Sequence, residues 1–289
     1  MTDRFWLILV AWGDRYGVEY INHLAKTTLK LSKMCDRVVL ITDRERPGVD
    51  PRVVQETFPE GFRRPELFKG GYPAKLALFT CPGAPSDMRC VYVDLDTIMV
   101  GDIGRIAADL RQPNEFLMLK AGSVGFNALS RLVNRFSQGE RYSTGNSSVL
   151  AFTAGEGRRL AERFLASHSD IATHSAKHMR KDDAFISWFA AQDLRAIRTD
   201  HAVMFRREFL SRVPGLARLK GRLPWVRRRR QNLVAITFNG AEYKPSVILE
   251  LSEGDPIYDR KGRKGYWSQA DIGPLQDKIV AYCEQIVQS

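Results

Sequence analysis

The stretch VYVDLDTIMVGD, Val91–Asp102, holds the feature on which the reading of this chain turns. Val91, Tyr92 and Val93 form an apolar run, Thr97, Ile98 and Met99 form another, and Asp94 and Asp96 stand between them. A carboxylate set among apolar neighbours is costly unless something compensates its charge. Residues two apart in a strand face the same way, so the two carboxylates converge unless the strand has ended before them. Converging carboxylates suit Mg²⁺ or Mn²⁺, which takes a few protein oxygens and fills its other positions with water or substrate phosphates. Solvated carboxylates at a strand end are the alternative, and a single D-x-D does not decide between the two.

The flanking sequence alternates strand-like and helix-like patterns. Phe5–Val10 is a continuous apolar run, the pattern of a strand covered on both faces. Tyr20, Leu24, Leu29 and Leu31 recur at helical steps within residues 16–33. Arg37–Thr42 is a second buried strand, and the Pro, Gly and Asp after it predict a loop. Tyr72–Phe79 is a short helix with Pro73 in its first turn. Cys90–Leu95, Phe116–Lys120, Ser147–Phe152 and Val234–Phe238 read as strands, and Gly155–His168 as an amphipathic helix. Leu275, Ile279, Tyr282 and Ile286 share one face of a C-terminal helix over about 270–287. Such alternation predicts a largely parallel α/β sheet. Its ligands bind beyond the carboxyl ends of the strands, where Asp94 and Asp96 lie.

The 289 residues suffice for one large α/β domain or two small ones. With 44% hydrophobic and 27% charged residues the composition is that of a globular protein, not a disordered one. The formal net charge of +11 favours an acidic partner: phosphate, nucleic acid or an anionic membrane. The four cysteines form no C-x-x-C pair and predict reduced thiols in a cytosolic protein. The early run FWLILVAWGD is too short for an export signal or a membrane span. Residues 203–232 differ from the rest: ten arginines and lysines against Glu208 alone, with apolar residues interleaved, which predicts an inserted surface element outside the core. His174 and His178 could share a helix face and hold a metal, although Lys177 and Arg180 beside them fit a surface pair better.

VYVDLDTIMVGDI resembles the D-x-D segment of GT-A fold glycosyltransferases, in particular glycosyltransferase family 8 and related bacterial nucleotide-diphospho-sugar transferases. Four further segments match in the same order, and together they cover residues 5 to about 245. In LILVAWGDRYGVEY, Ala11, Asp14 and Tyr16 fall near the family's nucleoside-holding positions. In GGYPAKLALF, Lys75 takes the place of a basic residue that neutralises a diphosphate or pairs with the metal-binding acids. In YSTGNSSVLAF, Asn146 corresponds to a sugar-contacting amide, and a turn-capping role is the plainer alternative. In KDDAFISWF, Asp182 aligns with the Asp of an Asp-Gln pair and Asp183 with its Gln. A carboxylate at that second position could stabilise an oxocarbenium-like centre or act as nucleophile, or both acids could simply favour a helix N-terminus. In ITFNGAEYKP, Asn239 stands where the family has a histidine as third metal ligand, and Lys244 precedes the proline of a diphosphate-reaching Lys-Pro.

The resemblance implies a single nucleotide-sugar transferase domain over 1–289 of α/β, GT-A type. It would use Mn²⁺ or Mg²⁺ on Asp94, Asp96 and Asn239 to move a sugar, from a UDP-sugar by preference, to an acceptor hydroxyl with retention. Catalytic candidates are Asp183, Asp182 and Asn146. Ala11, Asp14, Tyr16, Lys75 and Lys244 are the donor-binding candidates. The basic segment fits contact with anionic lipid, at roughly 1 kcal/mol per basic residue near the surface, and hence a glycolipid or surface-polysaccharide acceptor at the inner face of the membrane. A nucleotidyltransferase would carry a Gly-rich phosphate loop after the first strand, and Gly13 and Gly17 alone do not make one. A non-catalytic nucleic-acid-binding protein would account for the charge, but no RNA- or DNA-binding signature is present.

Overall fold

The protein is described from a computed structural model over residues 3–68, 73–120, 128–137, 142, 144–168, 181–213, 215–238 and 243–288. Strand β1, Phe5–Ala11, is buried along its whole length. It is parallel to β2 (Cys35–Thr42), which is parallel in turn to β3 (Val53–Thr57). On its other side β1 runs parallel to β4 (Arg89–Val93). After β4 the chain leaves this sheet: β5 (Thr97–Met99) belongs to another. It returns as β6 (Phe116–Lys120), β7 (Gly145–Thr153) and β8 (Leu194–Ala196), giving the order β3-β2-β1-β4-β7-β6-β8. Strand β7 is antiparallel to both β4 and β6, and β6 is parallel to β8. The result is the expected mixed, mostly parallel α/β sheet.

Its two faces account for the unbroken apolar run in β1. Phe5, Leu7, Leu9 and Ala11 enter one core, and Trp6, Ile8 and Val10 the other. The first core is closed by the helix Val18–Leu31 and the C-terminal helix Leu275–Val287, whose Leu275, Ile279, Tyr282 and Ile286 are all buried, as their spacing predicts. A Gly273-Pro274 step separates this helix from a short one, Gln269–Ile272, so 270–287 is not one continuous helix. The second core takes Phe79, Phe164 and Phe185 from the helices on the opposite side.

A three-stranded sheet, β5-β10-β9, is built from β5, β9 (Ala202–Met204) and β10 (Ala235–Thr237). A hairpin of β11 (Asp255–Tyr258) and β12 (Lys264–Trp267) follows. Three local expectations change. Strand β3 has no counterpart in the sequence reading, because at the sheet edge only Val53 is buried and Gln55 and Glu56 break the apolar pattern. Pro73–Thr80 winds as a 3₁₀ helix. Residues 203–232 are not merely a surface element: Phe205, Phe209 and Leu210 are buried in the first core, Val226 is buried as well, and β9 belongs to the three-stranded sheet. All four cysteines are free and buried.

Candidate active site

The D-x-D lies in a turn between two sheets. Strand β4 ends at Val93, the Asp94 carbonyl accepts from the Thr97 N–H at 2.9 Å, and β5 begins at once. So the aspartates converge from a turn, not from the same face of a strand. Both ends of the turn are pinned by backbone bonds: Asp94 N–H donates to the Ser148 carbonyl (2.8 Å), and the Asp96 carbonyl accepts from Phe238 N–H (3.0 Å).

The opposing wall is the start of β7. Between Met118–Leu150 and Leu119–Asn146 the β6–β7 register shifts, so residues 147–149 bulge away from β6. This carries Ser147 toward Lys75, whose Nζ donates to Ser147 Oγ at 2.9 Å. Ser147 Oγ donates in turn to Asp182 Oδ2 (2.7 Å), and Ser147 N–H donates to Asp183 Oδ1 (2.6 Å). Asp182 and Asp183 occupy the first turn of the helix Asp182–Phe189, but their carboxylates are committed to β7. Asn146 Oδ1 accepts from Ser148 N–H at 3.3 Å.

Lys75 is nearly buried and carries the site's charge balance. Its Nζ lies 2.7 Å from Asp94 Oδ1, 3.4 Å from Asp182 Oδ2, and 4.9 Å from the centre of the Tyr92 ring. Burial disfavours its charge, but Asp94 and Asp182 outweigh burial and hold the ammonium well above the ordinary lysine range. Burial likewise opposes ionisation of Asp94. Lys75, with Tyr92 OH donating at 2.6 Å, overrides it and keeps that carboxyl below its usual range. Asp96 has no such partner. Tyr16 OH donates to its Oδ2 at 3.3 Å, while its Oδ1 is buried without any hydrogen bond. Burial first, and Asp94 second, push its carboxyl up to about 7. Burial and the neighbouring Asp182 also raise Asp183.

One ionised carboxylate beside a second that carries an orphaned buried oxygen is a donor set short of positive charge. It fits a hard divalent cation on Asp94 and Asp96, with remaining positions left to substrate oxygens. Among the described residues no three His, Cys, Asp or Glu gather around one point. Asn239, the expected third ligand, lies outside the described residues, as do His174 and His178.

Ala11, Tyr16, Lys75, Asp94, Asp96, Asn146, Asp182 and Asp183 all line one cleft of about 290 Å³. Lys244 sits beside it, in a small crevice shared with Tyr16 and Asp96. Asp14 does not line the cleft. Its exposed carboxylate pairs with Arg44. The structure adds Trp12, Arg15, Tyr92 and Ser147 to the cleft lining. Tyr92 is the strand residue two before Asp94, and its hydroxyl donates to Asp94 Oδ1 across the start of the turn. Ser147 and Arg15 had no signal beyond adjacency to Asn146 and Tyr16. Trp12 packs edge-on against Phe58 and Phe68, in a loop that periodicity does not reach.

No protein-family model and no curated protein matches the sequence. Solved structures do match the fold. The galactosyltransferase LgtC, crystallised with donor and acceptor sugar analogues, aligns over 97% of this chain and 95% of its own at 11% identity and a TM-score of 0.51. An active-site Gln-to-Glu mutant of LgtC aligns over the same shares at 12% identity and 0.54. The glycosyltransferase GlyE of Streptococcus pneumoniae TIGR4 aligns over 99% of this chain at 12% identity and 0.53, and this chain spans 63% of GlyE's length. The chain therefore has the GT-A type fold that its D-x-D segment resembles.

Proposed function

We propose that this chain is a glycosyltransferase that moves a sugar from a nucleotide-sugar, a UDP-sugar by preference, to an acceptor hydroxyl. The observation that carries the reading is the state of the D-x-D turn. Asp94 is neutralised by Lys75, and Asp96 keeps a buried, unpartnered oxygen in the lining of a cleft that also holds Asp182 and Asp183. The transferase fold supports it.

Asp94 and Asp96 would hold Mn²⁺ or Mg²⁺, which supplies Lewis-acid stabilisation to a departing diphosphate. The chain's own groups do the rest. Lys75 fixes Asp94 in its ionised form and ties it, through Ser147 and Asp182, to the far wall. Lys244, exposed beside Asp96, brings positive charge to the leaving group. Tyr16 and Ala11 face the nucleoside, and Asn146 the sugar. Asp183, held at Oδ1 by the Ser147 N–H, presents a carboxylate where the resembled family has an amide. Such a group can stabilise positive charge at the anomeric carbon, or attack it, expel the nucleoside diphosphate and form a glycosyl ester that the acceptor hydroxyl then displaces, the two inversions giving net retention. The acceptor would be a glycan or glycolipid of surface-polysaccharide synthesis.

The test is donor binding by calorimetry, using UDP, GDP and their sugar conjugates with and without Mn²⁺, on wild type and Asp94→Asn/Asp96→Asn. Binding of one nucleotide that requires metal and vanishes in the double variant supports the reading. Absence of binding by every nucleotide sinks it.

A further inference from the structure

The helix Ala128–Phe136 has its amphipathicity the wrong way out. Leu129, Leu132, Val133 and Phe136 recur at i, i+3, i+4 and i+7 and so form one face. All four are exposed, at 66%, 49%, 40% and 80%. On the opposite side Asn134 is buried at 3%, and Arg131 and Arg135 stand exposed on the flank. A helix that serves a domain's own core buries its apolar stripe and leaves its amide outside. Four large apolar side chains exposed together on one helix face mark a contact with something else.

We infer that this face docks on an anionic phospholipid surface. Charge selects that occupant. The helix contains no acidic residue, and residues 116–145 carry Lys120, Arg131, Arg135 and Arg141 against Glu140 alone. Leu and Phe on one side with Arg on the other is the composition of a helix that lies in the headgroup plane, its apolar face sunk into the acyl boundary and its guanidiniums among the phosphates. A second copy is a poorer occupant, because it would bring a net charge of +11 onto another +11. The helix lies in the connection between β6 and β7, and β7 opens with Asn146 and Ser147 in the wall of the cleft. That the acceptor lies in that phospholipid surface rests on the transferase reading, whereas the docking itself does not.

The experiment is flotation of the 289-residue chain with phosphatidylcholine vesicles, with and without phosphatidylglycerol. Wild type should float with the anionic vesicles only. Leu129→Ser/Phe136→Ser should lower the bound fraction about tenfold or more. Arg131→Gln/Arg135→Gln should weaken binding and flatten its salt dependence. The changed side chains are exposed, so near-ultraviolet circular dichroism should stay unchanged. Phe136→Trp should add a blue-shifted emission on vesicles. Three outcomes overturn the inference: no wild-type flotation, flotation unaffected by Leu129→Ser/Phe136→Ser, or a wild-type dimer that the same variant converts to monomer without lipid. Each is read without nucleotide or transfer, so failure here leaves the donor-binding test untouched.

Discussion

Lys75 is bonded to Asp94 and not to Asp96: its Nζ lies 2.7 Å from Asp94 Oδ1, while Asp96 Oδ1 is buried without a partner. One cation thus serves the inner carboxylate and leaves the outer one for a ligand. Removing that cation leaves Asp94 and Asp182 without the buried counter-charge they share. Lys75→Met should therefore destabilise the fold by about 3–5 kcal/mol, the usual cost of breaking a buried ion pair from one side. Urea unfolding measures it. A midpoint within error of wild type would mean that the lysine does not carry this charge balance.

Asp96 gives a pH dependence whose sign is fixed. Its carboxyl is pushed up to about 7 by burial and by Asp94. In the unfolded chain it ionises near pH ~4. Between these values the unfolded state has released a proton that the folded state retains. The contribution of Asp96 to stability is therefore complete below the lower value and declines as pH rises through about 7. Asp96→Asn removes the decline. The variant should unfold at a higher temperature than wild type above about pH 7, and the gap should close on acidification. Affinity for Mn²⁺ should rise over the same window in wild type alone. Parallel thermal-unfolding curves for the two proteins across that range would refute the assignment.

The sheet was legible because strands covered on both faces write continuous apolar runs, as in Phe5–Val10 and Arg37–Thr42. Strand β3 was not, since an edge strand buries one face and Gln55 and Glu56 look like loop. Asp94, Asp96 and Lys75 were visible through local motifs. The turn that separates β4 from β5 was not, because Thr97-Ile98-Met99 continues the apolar run and hides the change of sheet. Asp14 fitted a spacing, but its carboxylate pairs with Arg44 outside the cleft. The role of Ser147 depends on a register shift against β6, and register is a long-range property that no local window carries.

Ser147 is the smallest test of that register shift. Its hydroxyl accepts from Lys75 and donates to Asp182, at 2.9 and 2.7 Å. Ser147→Ala leaves both groups one partner short in a buried place. It should cost about 1–3 kcal/mol, the penalty for unsatisfied buried polar groups. The Ser147 N–H bond to Asp183 is backbone and survives the change. Donor affinity should accordingly fall less than in Asp96→Asn. A loss of donor binding equal to that of Asp96→Asn would show that the hydroxyl touches the ligand directly.

Arg227–Arg230 looks in sequence like one solvated basic run, but its members do different things. Arg230 is buried at 3% exposure, with Nε 2.7 Å from Glu208 Oε1, and Arg229 pairs with the same carboxylate. Lys220 Nζ adds a third contact at 3.0 Å, and Arg227 Nε donates to the Gly221 carbonyl. Glu208 is itself buried. These cations overcome the effect of burial and hold its carboxyl below the ordinary range. Glu208 thus ties the helices Leu216–Arg222 and Pro224–Gln231 down, together with Asp271, which pairs with Arg218 and accepts from Arg230 at its carbonyl. Replacing it leaves buried guanidiniums without a counter-charge, so Glu208→Gln should cost about 3–5 kcal/mol, read by urea unfolding. Arg228→Ala, at an exposed position, should stay within about 0.5 kcal/mol of wild type. Replacing all four arginines at once would therefore mix unfolding with any loss of lipid contact, whereas Arg228→Ala isolates the surface charge. If Glu208→Gln unfolded at the wild-type midpoint, the segment would be held by its other contacts, the buried Phe205, Phe209, Leu210 and Val226 and the bonds of Arg218 and Arg230 to Asp271.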